Sequence, residues 1–155
     1  MTRRTLAFLF TFIVGAIVGH VAIPSVGAQA QTHRSMTMTR LYTGPDNQTH
    51  AEEIELKFTA GGSNDVSKMM PVTGAELHRG APGNVSDWHT GPRRQYVITL
   101  RGRGELEVAG GKKISVEPGH IELIEDTTGK GHITRVTGTE ERVTLQIPLS
   151  DQSGR

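Results

Sequence analysis

From residue 36 onward apolar and polar residues alternate, and glycine breaks the run at short intervals. This rhythm constrains the chain more than any other feature. A period of two rich in β-branched residues belongs to half-buried strands, whereas an amphipathic helix repeats every 3.6 residues. The stretch 95–108, QYVITLRGRGELEV, shows it plainly as two alternating runs joined by Arg101-Gly102-Arg103-Gly104. Gly110-Gly111 is a second hairpin signal. Further strands are expected over 36–43, 51–58, 74–79, 113–116, 120–124, 132–136 and 142–147, while 66–71 is too short to assign. Roughly eight short strands about ten residues apart, with no βαβ unit, predict an antiparallel sandwich, jelly roll or small barrel.

Residues 1–30 follow another pattern. Arg3 and Arg4 precede an apolar run from Leu6 to Val26, and Ala28-Gln29-Ala30 supplies the small-x-small site of a signal peptidase. A secretory signal cleaved after Ala30 is expected, which places the protein in the periplasm or outside the cell. An apolar run of about 20 residues can also span a bilayer, so an uncleaved anchor is the alternative and the one route to membrane contact. Residues 31–35 read as a tether and 36–150 as a single domain. Two of the 17 Lys and Arg residues fall in the leader, so the remainder nearly balances 16 acidic residues. No clustered basic face results, which argues against a nucleic-acid partner. With no cysteine, export brings no disulfide framework, and the core alone must hold the fold.

The residues that could carry chemistry sit in two stretches. In the first, Gly83 is followed after five residues by His89, and Gly102 closes the segment. In the second, Pro118-Gly119 opens a strand and Gly129 precedes His132. This spacing resembles the cupins, jelly-roll β-barrels marked by G-x5-H-x-H-x3,4-E-x6-G and G-x5-P-x-G-x2-H-x3-N. Their three histidines and one glutamate commonly hold a divalent metal. On that pattern the second histidine falls on Gly91 and the glutamate on Gln95. The stretches RLYTG, AEEIEL, WHTGPRRQYVITLRGRGELEV and EDTTGKGH resemble a subfamily of short single-domain bacterial cupins with no established reaction. The resemblance runs from about Arg40 to Ile147. It implies a cupin-type jelly roll, pairing of two copies through the outer sheet, and a degenerate metal site at His89, His132 and Gln95 for iron, manganese, zinc or nickel. Glu125, Asp126 and His78 are candidates for extra donors.

The residues themselves leave several roles open. Gln95, Val97 and Thr99 share one strand face, as do His132, Thr134 and Val136. If both histidines point inward, Gln95, Thr99 and Thr134 join them around a small-molecule cavity with an apolar floor. Arg94, or its neighbour Arg93, could clamp a carboxylate. Trp88 could stack on a ligand or simply pack, and Asp126 could act as a base or cap a turn. His33, His50 and His120 read as surface residues, with Glu122 on the outer face. Three functions follow: an exported small-molecule-binding protein using His89, Arg94, Gln95, Thr99, Asp126, His132 and Thr134; a metal-dependent cupin enzyme of oxygenase, isomerase or lyase type; or a structural protein with a filled barrel.

Overall fold

The structure, a computed structural model, describes residues 34–152. The expected signal segment, most of the tether and His33 lie outside the described residues. Twelve strands form among those described: β1 (Thr37–Thr43), β2 (Thr49–Glu55), β3 (Phe58–Gly61), β4 (Asn64–Ser67), β5 (Glu76–Gly80) and β6 (Val85–His89) come first. They are followed by β7 (Gln95–Arg101), β8 (Arg103–Glu107), β9 (Lys113–Val116), β10 (Ile121–Glu125), β11 (His132–Thr137) and β12 (Arg142–Pro148), with one 3-10 turn at Ala109–Gly111.

The pairing explains how these strands make a cavity. Strands β5 to β8 run out and β9 to β12 run back, pairing in nested order: β5 with β12, β6 with β11, β7 with β10, and β8 with β9. All four pairs are antiparallel. Successive strands of each arm alternate between two sheets, one ordered β2-β1-β10-β7-β12-β5 and the other β6-β11-β8-β9. Nested antiparallel pairs folded across two sheets are a jelly roll, so the all-β expectation holds in detail. The number of strands exceeds the expected eight. The segment 51–58 splits between β2 and β3, the unassigned segment begins inside β4, and β6 forms where no strand was expected.

Between the sheets lie Leu41, Val97 and Ile124 from the larger sheet and Leu106, Val108 and Val116 from the smaller one. Full burial of a leucine such as Leu41 or Leu106 contributes about 2 kcal/mol. The larger sheet is also apolar on its outer face, where Met38, Tyr96, Leu123 and Leu149 form a second cluster. Strands β3 and β4 pair only with each other and expose Phe58 and Val66.

Candidate functional site

Strand alternation fixes which side chains meet inside. In β7, Gln95 and Val97 face inward. Ile124 of β10 lies opposite Gln95, and Glu122 lies opposite Val97. In β12, Arg142, Thr144 and Gln146 face the same way. With His89 at the end of β6 and His132 at the start of β11, they border a cavity of about 300 Å³. Val97 and Ile124 form its apolar floor.

His89 and His132 are cross-strand partners, and their ring centroids are 4.5 Å apart. Two glycines let the backbone come this close. A Cβ on Gly131, which has φ +77, would lie 2.0 Å from the His89 carbonyl oxygen. On Gly91 it would lie 2.4 Å from the Ile124 methyl, so the position where the cupin pattern has its second histidine has no room for a side chain.

Hydrogen bonds set the tautomer of both rings. His132 Nδ1 lies 2.6 Å from Asp126 Oδ2, and His89 Nδ1 lies 2.7 Å from the Asp87 carbonyl oxygen. A carboxylate and a carbonyl only accept, so each Nδ1 carries the proton and donates it. In the neutral imidazole each Nε2 is then a lone pair, with no partner among the described residues, on a side chain that borders the cavity. Asp126 is fully buried, and its Oδ2 also accepts from Thr49 Oγ1 at 3.0 Å, while Oδ1 has no partner.

The second polar centre is an ion pair. Arg142 Nη2 donates to Glu122 Oε1 at 2.5 Å and to Thr99 Oγ1 at 2.9 Å, and Nε donates to the same Thr99 oxygen at 3.3 Å. Burial pushes the Glu122 carboxyl above the usual range despite the opposing pull of Arg142 and His132. Gln95 is engaged on both sides: Arg93 Nε donates to its Oε1 at 3.0 Å, and its own Nε2 donates to Gln146 Oε1 at 3.1 Å.

Several expected roles change. Arg94 does not reach the cavity: it donates to Glu125 Oε1 and to the Asp151 carbonyl, because consecutive strand residues face opposite ways. Glu125 is likewise turned away, held between Arg94 and Arg40. Asp126 stands behind His132 rather than in the cavity wall. Thr99 is buried beneath Arg142 instead of bordering the cavity. Lys130 Nζ sits 3.8 Å above the Trp88 ring, so that face is already covered. Glu122 is 2 % exposed and faces inward, opposite to the expectation. His120 shares its parity: its Nε2 is buried without a partner, and burial lowers its pKa. His50 bonds Asp46 at the surface, and His78 reaches the cavity rim. Gln95 and Thr134 line the cavity as expected, whereas Arg142, Glu122, Thr144 and Gln146 were not anticipated.

The donors present do not fit a tightly held divalent metal. Two imidazoles offer lone pairs, but Gln95 is neutral and already bonded, and position 91 has no side chain. Among the described residues no group of three or more His, Cys, Asp or Glu side chains is placed to hold a metal. The guanidinium of Arg142 borders the same cavity and would repel a dication.

No family model and no curated protein matches this chain. Solved structures similar to it include the capsular polysaccharide assembling protein CapF from Staphylococcus aureus, at 14% identity and TM-score 0.40. That match covers 62% of this chain and 31% of that one. The cupin domain of Cnp3 from Schizosaccharomyces pombe matches at 13% identity and TM-score 0.39, covering 76% of this chain and 86% of that one. A putative ethanolamine utilization protein Q from Salmonella typhimurium LT2 matches at 14% identity and TM-score 0.38, covering 77% and 100%.

Proposed function

We propose that this chain is an exported protein of cupin type that binds a small polar organic molecule inside its jelly roll, with the Nε2 atoms of His89 and His132 as paired hydrogen-bond acceptors. The observation that carries this reading is the fixed tautomer of both rings. With the two rings 4.5 Å apart at a cavity of about 300 Å³, neither Nε2 has a donor among the described residues, and ligand hydroxyl or N–H groups supply them. Ser86, Thr134 and Thr144 add hydroxyl groups to the same wall. A cavity of this size runs counter to the structural protein with a filled barrel.

Thermal unfolding of the purified protein against a panel of small carboxylates, phenols and polyols tests the proposal. A ligand at a hundred times its dissociation constant stabilises the fold by about 2.7 kcal/mol. His89→Ala and His132→Ala should each abolish that shift. A panel with no stabilising member, or shifts unchanged in both variants, would overturn the reading.

A metal-dependent cupin enzyme of oxygenase, isomerase or lyase type is the second reading. It is favoured by the same Nε2 pair, because metal-bound imidazoles donate their other N–H to a carboxylate or carbonyl. Its weakness is the missing third donor, and metal analysis of the native protein beside the two alanine variants decides it. Pairing of two copies through the outer sheet is proposed on the cupin resemblance. It would cover the apolar groove lined by Met38, Leu56, Met70, Tyr96, Ile121 and Ile147. Light scattering that finds only a monomer would refute it.

A further inference from the structure

Arg142 has no part in the reading above, yet it is the cation in the cavity wall. We infer that it anchors a carboxylate, and that the cavity takes a small hydroxy acid whose hydroxyl group donates to one Nε2 of the His89 and His132 pair. The inference rests on the cavity being a ligand site, and it names the chemical class that site selects.

The geometry of the guanidinium carries the argument. Arg142 is only 7 % exposed. Its Nε and Nη2 are directed at Thr99 and Glu122, which leaves the two N–H groups of Nη1 without an acceptor among the described residues, on a side chain that borders the cavity. Nη1 is not among the buried side-chain atoms that lack a partner, so its donors are open to the cavity and to a ligand carboxylate. Neither Asp126 nor Glu125 serves them: Asp126 is turned to His132 and Thr49, and Glu125 to Arg94 and Arg40.

The fold makes room for this side chain. Gly104 lies across from it, where a Cβ would come 3.0 Å from Arg142 Cδ and 2.9 Å from the Arg135 carbonyl oxygen. Stability gives no reason to place an ion pair here, since well-packed apolar residues of equal volume often hold a fold as well or better. Burial also holds the Glu122 carboxyl toward its neutral form, so its charge opposes a ligand carboxylate less than an exposed glutamate would. The wall therefore offers free donors on a cation at Arg142 and free acceptors at the two imidazoles. A hydroxy acid has the complementary pair of groups. A simple alcohol lacks the charged acceptor, and an amide offers only a neutral one.

Matched probes separate the charge from the shape. Lactate with lactamide, and salicylate with salicylamide, are titrated into the full chain by calorimetry. A parallel titration uses the double variant Arg142→Gln with Glu122→Gln, which replaces the ion pair by neutral amides and strands neither charge. We expect at least one acid to bind wild type about tenfold or more tighter than its amide, the scale of one hydrogen bond to a charged group. In the double variant that preference should fall to near unity while amide affinity is kept. The acid-to-amide ratio of wild type decides the matter even if the double variant does not fold. Amides binding as tightly as acids, or a preference that survives in the double variant, would overturn the inference alone. Neither acids, amides nor polyols binding would overturn it together with the ligand-site reading.

Discussion

Replacing Asp126 with leucine tests the link between the buried carboxylate and the cavity. The wild-type Oδ2 accepts from His132 Nδ1 at 2.6 Å and from Thr49 Oγ1 at 3.0 Å, all within a buried environment. Leucine is close in size and takes away both bonds. A hydrogen bond to a charged group contributes about 1.5–3 kcal/mol, and a donor left buried without a partner costs about 1–3 kcal/mol. One offset exists: Oδ1 is already buried without a partner, and its removal recovers a penalty of the same order. The net expectation is a loss of about 2 kcal/mol, read by urea unfolding of the domain with the fluorescence of Trp88. Two further readouts separate the pair from general damage. Thr49→Val should destabilise wild type by about 1 kcal/mol and leave the Asp126→Leu background nearly unchanged, a coupling that independent sites do not show. Nitrogen-15 NMR should find His132 as the Nδ1–H tautomer in wild type and as a tautomer mixture in Asp126→Leu. A stability change below about 0.5 kcal/mol, or an unchanged tautomer, would refute the claim that Asp126 sets the proton on His132.

Gly131→Ala should destabilise by at least about 2 kcal/mol, since it places a side chain at φ +77 and 2.0 Å from the His89 carbonyl oxygen; circular dichroism melts check it. Burial pushes the Glu125 carboxyl up, but hydrogen bonds from Arg94 and Arg40 prevail and hold it below the usual glutamate range. A carboxyl depressed in the folded state stabilises above its unfolded pKa, and that stability is lost as pH falls through the folded value. Arg94→Gln should therefore be less stable than wild type at pH 7 by about 1 kcal/mol, with the gap closing as the pH falls below the ordinary glutamate range in parallel urea titrations. Dialysis against EDTA should leave the melting temperature unchanged, because among the described residues no third His, Cys, Asp or Glu side chain is grouped with the two imidazoles to hold a metal; a drop of several degrees would restore the metal reading.

The pairing of His89 with His132 and the inward placement of Gln95 and Thr134 were legible because each follows from period two along an alternating strand. Arg142 and Glu122 were hidden by the larger sheet, which is apolar on both faces. In β10, IELIE, the residues Ile121 and Leu123 look like the core face, but they turn outward to the cluster with Tyr96 and Met38. Ile124 belongs to the inner cluster, and its parity puts Glu122 and His120 inside. Read alone, the strand offers two apolar faces and no way to rank them. Register against Val97 settles the choice, and register is a tertiary fact. Arg94 misled for a related reason: a cation beside Gln95 must take the opposite face. The role of Asp126 was out of reach because Thr49, its second partner, sits on β2, far away in sequence.

The nested pairing has a kinetic consequence. Only the innermost hairpin, where Leu106 meets Ile114, closes a short loop; the outermost ladder must bring Leu77 to Leu145. Loop-closure entropy makes such distant contacts late and the chain a slow folder. The turn at Ala109–Gly111 is where that nested series of closures begins, although its residues line neither the cavity nor the core.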